Sequence, residues 1–343
     1  VYDSVALSTK LAPMTGNQVQ LYGQQTVPID VTWNSSTDPS ASSLAGLKAV
    51  TRVGWEQARV AGIQLGKADV PVTIDAGNLA TAAEFAVSGG KLRWDVTSDL
   101  TANDLVVVQK PMTVLENVEI TPEMCQGWLK YVAPLLAEAT SIDGKMSLRL
   151  DDARLTPADP KRQTVAGQLI MHNVTVGPGP LSNQVIALVK QVDAIRKKDF
   201  TQAVSTQTIW MNMPEQQIDF RMADGRVTHR NVNVRVGDAS ISTSGSVTVD
   251  GQLDMLATMP IPDDWVDKSP LLVGLRGQSL NFPVRGTIQQ PQMDAEGLRQ
   301  FSRQAVQGAA TGLIQQQLSK GLGKLFGQPS PTAVPSTPPI VPK

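Results

Sequence analysis

Apolar and polar residues alternate along most of the chain, in short segments that end at Gly, Asp or Asn. A clear example is RVTHRNVNVRVGDASISTSGSVTVDGQLDM, which begins at Arg226 and places Val232, Val234 and Val236 on one face. Alternation in runs of this length predicts β-strands with one apolar face. Because the strands follow one another with short breaks and no helix between them, the pattern predicts an antiparallel meander.

Asp-Gly pairs mark several of the breaks between alternating segments. They are Asp143-Gly144, Asp224-Gly225 and Asp250-Gly251. A tight hairpin turn needs positive φ at both central residues, which Asp and Gly adopt more readily than most residues. Each pair therefore predicts a hairpin.

Three segments have helical periodicity instead and predict amphipathic accessory helices. The first begins at Thr121, which can cap it, continues with Pro122 at its first position, and is expected to break at Pro134. The second follows the sequence GPGP and begins at Leu181. Its apolar residues recur three and four positions apart, so one face is expected to be buried.

The third helical segment begins near Asp294 and has an apolar side. The residues expected to form that side are Leu298, Phe301, Leu313, Leu318, Leu322 and Phe326. Several glycines interrupt the segment, each costing ~1 kcal/mol relative to Ala, so it should need a surface to lie on. Two alternatives stay open: it docks on the sheet and closes one end, or it contacts a membrane or a protein partner.

The same patterns predict a domain organisation. We expect a β-meander over residues 1–120, a β-groove with two helices over 121–293, the amphipathic helix over 294–326 and a Pro-rich disordered tail over 327–343. No run reaches the ~20 apolar residues of a membrane-spanning helix, and no signal peptide is visible. The chain starts in mid-pattern, so we expect a processed protein or a piece of a longer one.

Composition narrows the possible functions. The chain has 343 residues, with 30 Lys and Arg against 31 Asp and Glu, so nucleic acid is not expected as a partner. Aromatic residues make up only 4%, fewer than the core of a large enzyme usually contains. The single cysteine, Cys125, excludes an intrachain disulfide and is expected to be buried as a small apolar residue.

Candidate catalytic residues are few. His172 and His229 lie in strand-like segments without further ligands at metal-binding spacing, so we expect ordinary surface or edge positions and no metal or cofactor. A hydrolase would need Cys125 and His172 in contact, at the ~3 Å of a nucleophile and its base. We expect that the protein is not an enzyme.

The repeated half-apolar strands predict a binding surface. Apolar strand faces must be covered, either by a second sheet or, in a curved sheet, partly by a ligand. Because each buried CH₂ contributes ~0.8 kcal/mol, an apolar trough could bind acyl chains without any reactive group. The expected lining is Met146, Leu148, Leu150, Ile218, Phe220, Met222, Val232, Val234 and Val236. If the strand register slipped by one residue, the opposite face would line the trough. The alternative function is a structural or assembly scaffold that binds envelope proteins.

A family resemblance points the same way. The segment ADGRVTHRNVNVRVGDASISTSGSVTVDGQLDM, then LNFPVRGTIQQPQMD, then an amphipathic helix, resembles the C-terminal region of AsmA-like proteins over residues 215–326. The residues that carry the second motif are Phe282, Pro283, Val284, Gly286, Thr287 and Pro291.

The resemblance implies a fold, a location and a ligand. It implies a mainly β, taco-like groove on the periplasmic side of the bacterial cell envelope. It also implies phospholipid or another acyl lipid as partner, and a role in phospholipid transport or outer-membrane homeostasis. Such proteins usually have an N-terminal inner-membrane anchor, which is not present in this chain. The family brings no catalytic motif and no cofactor.

Overall fold

The computed structural model describes residues 2–15, 19–34, 43–197, 210–268, 276–294 and 296. Within them, sixteen strands form one antiparallel sheet. The predicted fold class, a mainly β protein built on a long antiparallel meander, is confirmed. The sheet crosses the predicted domain boundary at residue 120 without interruption.

The strands and helices are labelled in chain order. The strands are β1 (Tyr2–Asp3), β2 (Val19–Tyr22), β3 (Gln24–Gln25), β4 (Asp30–Trp33), β5 (Leu47–Trp55), β6 (Gln57–Val60), β7 (Ile63–Leu65), β8 (Ala68–Asp75), β9 (Asn78–Val87), β10 (Gly90–Asp99), β11 (Val107–Gln109), β12 (Met112–Glu119), β13 (Ile142–Leu155), β14 (Thr164–Val176), β15 (Met211–Met213), β16 (Gln216–Ala223), β17 (Arg226–Val236), β18 (Ala239–Thr248), β19 (Leu253–Pro260), β20 (Ser279–Gly286) and β21 (Pro291–Met293). The helices are α1 (Ser4–Thr15), α2 (Pro122–Met124), α3 (Lys130–Val132), α4 (Pro180–Lys197) and α5 (Asp263–Lys268). A π-turn (Cys125–Leu129) joins α2 to α3, and a 3-10 turn (Pro134–Leu136) follows α3. We call this region, from α2 to that turn, the 122–136 segment.

Strands of the large sheet follow chain order from β4 at one edge to β21 at the other. At two places in the sheet, two short strands occupy the place of one: β11 and β12 lie between β10 and β13, and β15 and β16 lie between β14 and β17. Between β5 and β8 the chain does not add to the large sheet. There, β6 and β7 pair with β2 in a separate three-stranded sheet. This local pairing is the arrangement that consecutive hairpins predict.

The Asp-Gly predictions had mixed outcomes. Asp224 and Gly225 both have positive φ (50° and 68°) and join β16 to β17, so that hairpin is confirmed. Gly251 (φ 82°) turns the chain between β18 and β19, as predicted. The prediction for Asp143-Gly144 was wrong, because both residues lie inside β13, where the register shifts. An added Cβ on Gly144 would lie 2.8 Å from Cα of Val174, so glycine lets the two strands approach closely there.

One face of the large sheet is mainly apolar, and we call it the inner face. Leu148 lies opposite Leu169, and Leu169 lies opposite Ile218, so apolar residues meet from strand to strand. The outer face has opposite charges in the same relation: Arg93 contacts both Glu84 on β9 and Glu116 on β12, at 2.8 Å. Hydrogen bonds from Arg93 and Lys91 lower the pKa of Glu84.

Helices cover the inner face in the C-terminal part of the sheet. The helix α3 contacts β17 and β18, and Tyr131 Oη donates a hydrogen bond to the carbonyl of Val249 at 3.2 Å. The helix α4 contacts β21, where Gln184 Nε2 donates to the carbonyl of Pro291. The core beneath these helices is closely packed, since Val234 and Phe282 are 0% exposed.

The helix predictions can be compared with the structure one by one. Thr121 caps α2 by accepting a hydrogen bond from the Met124 amide at 3.2 Å, and the helix breaks at Pro134, as expected. The second helix begins at Pro180, just before the predicted start. The helix α1 was not predicted, since residues 1–120 were expected to form a β-meander, and α5 was not predicted either. The predicted third helix and the Pro-rich tail lie outside the described residues, except for Asp294 and Glu296.

Candidate functional site

The helical cover does not extend over the whole inner face. Along β13, Met146 is 0% exposed, Leu148 and Leu150 are partly exposed, and Leu155 is 37% exposed. The same change occurs along β16, from Ile218 (0%) to the partly exposed Met222. Apolar side chains of the middle strands are therefore partly exposed on the inner face, although Ala153, between Leu150 and Leu155 on that face, is 2% exposed.

We use the name open strip for the partly exposed apolar side chains on the inner face of these strands and of the neighbouring β9 and β10. Its members are Phe85, Trp94, Val96, Met112, Leu148, Leu150, Val165 and Met222. Strand register brings them together, since Met112 lies opposite Leu150 and Val165 lies opposite Met222. No member of the open strip is charged, in contrast to the outer face.

Aromatic rings form the N-terminal end of the open strip. The rings of Trp55 and Phe85 are 5.8 Å apart, and those of Phe85 and Trp94 are 5.1 Å apart, with tilted planes. The Trp55 indole donates to the carbonyl of Gly66 at 2.9 Å, which fixes its orientation. Trp55 is buried, whereas Phe85 and Trp94 are partly exposed.

The nine residues predicted to line a groove all lie on the inner face, but they differ in exposure. Leu148, Leu150 and Met222 belong to the open strip. The other six are packed in the protein core: Met146, Ile218, Phe220, Val232, Val234 and Val236. For those six, the protein's own side chains fill the space that a bound chain would need. The six residues predicted for the membrane or partner helix lie outside the described residues.

Among the polar residues, the prediction for His229 was wrong. We expected it at a surface or an edge, but it is 1% exposed on the inner face of β17, opposite Phe220 and Gly245. A bulge between His229 and Val232 leaves both residues on the inner side. Neither ring nitrogen has a hydrogen-bond partner among the described residues. Burial lowers the pKa of His229 to about 4, so the ring is neutral at neutral pH.

Cys125 and His172 have separate surroundings. Cys125 is 0% exposed, and its burial, with a smaller effect of the Glu123 charge, raises the pKa of the thiol to about 12. The expected burial of this residue is confirmed. His172 Nε2 is 2.9 Å from Ser147 Oγ, and its Nδ1 is 4.0 Å from a carboxylate oxygen of Glu215. A protonated thiol of this kind is a weak nucleophile.

Several members of the open strip were absent from the predicted lining, namely Phe85, Trp94, Val96, Met112 and Val165. The alternation in AEFAVSGGKLRWDV already placed Phe85, Trp94 and Val96 on one strand face. Periodicity identifies a face, but it does not show which strands a helix elsewhere in the chain will cover.

No protein-family model, curated protein or solved structure matches this chain. Of the helices described, none combines the length and the apolar character that crossing a bilayer requires. The described residues also contain no group of three or more His, Cys, Asp or Glu side chains placed to hold a metal ion.

Proposed function

We propose that this protein binds acyl lipids, phospholipids above all, along the open strip, without catalysing a reaction. The observation that supports the proposal is the gradient of exposure along β13 and β16, from a sealed core to accessible Leu and Met side chains. A folded protein seldom leaves contiguous apolar surface next to its core unless something binds there.

Energetics favour a flexible apolar ligand. Each methylene that moves from water into contact with the open strip contributes ~0.8 kcal/mol, so ten methylenes would contribute roughly 8 kcal/mol before the cost of ordering the chain. The lipid headgroup would stay in water. The length of the strip across several strands suits a chain that lies across the sheet rather than a compact ligand.

The AsmA-like resemblance adds a setting to this proposal. It supports a place in the bacterial cell envelope, on the periplasmic side, and a part in phospholipid transport or outer-membrane homeostasis. The resemblance rests on residues 215–326, whereas the open strip lies mainly N-terminal to them. The resemblance and the exposed apolar surface therefore support lipid binding from largely different residues.

The test is lipid retention by matched variants. The protein is purified without detergent, its lipids are extracted, and phospholipid per protein is measured by mass spectrometry. Leu150→Gln together with Met222→Gln should lower retained phospholipid severalfold, because both changes make the open strip polar. Leu256→Gln is the control, since Leu256 is 42% exposed but lies on β19 next to the outer-face residue Pro283. Lipid-free wild-type protein, or equal loss in the control, would contradict the proposal.

A further inference from the structure

The two edges of the large sheet differ in how they are protected. At the C-terminal edge, β21 has three residues, begins with Pro291 and is held by Gln184 of α4. A short strand, a proline and a covering helix are the usual devices that prevent a sheet edge from pairing with another chain. At the other edge, β4 contains neither Pro nor Lys, and it pairs with β5 but with no other described strand.

The side chains of β4 continue the inner face in exposed form. Val31 lies opposite Ala49 and Trp33 opposite Leu47, so both point to the inner side. Ile29, Val31 and Trp33 are 65%, 54% and 50% exposed. Three large apolar residues in alternation, half or more accessible, are uncommon at the edge of a sheet such as the one that the described strands form.

The backbone of β4 directs hydrogen-bonding groups outward. The amide of Asn34 donates to the carbonyl of Gly46 at 3.0 Å, so Asn34 is in the hydrogen-bonded set of the β4–β5 ladder. Residues alternate in an antiparallel pair, which puts Thr32 and Asp30 in the same set. The N–H and C=O groups of Val31 and Trp33 therefore point away from β5. Such a row of donors and acceptors is complementary to one kind of ligand, an extended polypeptide strand.

We propose that β4 pairs antiparallel with β4 of a second copy of this chain, so that the sheets of two molecules join. The strand is self-complementary about Val31: Ile29 would lie opposite Trp33 of the second copy, and Asp30 opposite Thr32. Apolar side chains meet on the inner side, no like charges face each other, and both inner faces stay on the same side of the joined sheet. The inference does not depend on lipid binding.

The expected association is weak. Four-residue strands contribute far less than the ~1,600 Å² of a standard stable interface, so the dimer should form in a concentration-dependent way. Cross-linking is the suitable measurement, because it records weak dimers. Residues directly opposite in a hydrogen-bonded antiparallel pair have Cα atoms ~5.5 Å apart, within the range that a disulfide spans.

Val31→Cys should give a disulfide-linked dimer of the full chain under mild oxidation, in a yield that rises with protein concentration. Val50→Cys is the matched control, since Val50 is 61% exposed on the adjacent strand and points to the outer side. The native Cys125 is buried and gives little background. Failure of Val31→Cys to cross-link, or equal cross-linking by both variants, would overturn the proposal.

Sedimentation equilibrium gives a second readout without an added cysteine. Val31→Lys places two ammonium groups opposite each other in the proposed pair and should weaken dimerisation severalfold. Val50→Lys should change it little. A wild-type chain that stays monomeric at every concentration, or a loss of association that is the same for both lysine variants, would contradict pairing through β4.

Discussion

The C-terminal strands β17–β21 and the middle strands β9–β16 share one face of one sheet, yet they bury it in different ways. In the C-terminal strands Val234 and Phe282 are 0% exposed, and Trp265 of α5 is 2% exposed. In the middle strands the same alternation ends in partly exposed Leu150 and Met222. The comparison shows that the apolar face of one sheet can be sealed in one region and partly exposed in another, and that helices cover the sealed region.

The largest expected effect belongs to the covered region. Phe282→Ala should lower the free energy of unfolding by ~3–5 kcal/mol, because it removes a fully buried ring and leaves a cavity. Urea denaturation of the variant and the wild type measures the difference. A loss below about 1 kcal/mol would show that the covered region is not a tightly packed core.

His229 should make the covered region sensitive to acid. The pKa of His229 is about 4 in the folded protein, whereas an unfolded chain has the ordinary histidine value of 6.5, so the unfolded state binds more protons between these values. The contribution of His229 to stability is therefore fully present above pH 6.5 and is lost as pH falls, by about 1.5 kcal/mol between pH 6.5 and about 5.

The measurement is urea denaturation at several pH values, compared with His229→Leu. The leucine variant should lose the part of the slope that comes from His229. A variant whose stability still falls by the same amount over this interval would assign the slope to other groups. Restricting the interval to pH above about 5 avoids most carboxylate titration.

The smallest stability effect is expected in the open strip. Leu150→Ala should cost only about 1 kcal/mol, since the side chain is partly in water already and its removal leaves no closed cavity. Denaturation measures this together with Phe282→Ala under the same conditions. Equal losses for the two variants would erase the distinction between covered and open regions.

Much of the fold could be predicted from local sequence. Alternation identified the meander, and the residues at 121, 122 and 134 defined the cap and the break of the first predicted helix, because caps and prolines act through neighbouring backbone groups. Hairpins such as Ala61-Gly62 and Ser88-Gly89 were less evident, since they place Ala or Ser at positive φ (50° and 36°) with only the glycine as a signal.

The candidate site was harder to predict, because burial depends on contacts between distant parts of the chain. The 122–136 segment covers strands that come about one hundred residues later, as the bond between Tyr131 and Val249 shows across 118 positions. For that reason six of the nine predicted lining residues are in the core. His229 was misplaced for a related reason: its bulge keeps an unpaired ring on the apolar side, which alternation alone does not reveal.

Photo-cross-linking tests the central claim most directly. A benzophenone side chain is placed at Leu150 in one variant and at Leu256 in another, the proteins are mixed with phosphatidylethanolamine–phosphatidylglycerol vesicles and irradiated, and adducts are identified by mass spectrometry. We predict a phospholipid adduct at position 150 and little or none at position 256. Adducts of equal yield at both positions, or none at position 150, would contradict an acyl-binding surface on the open strip.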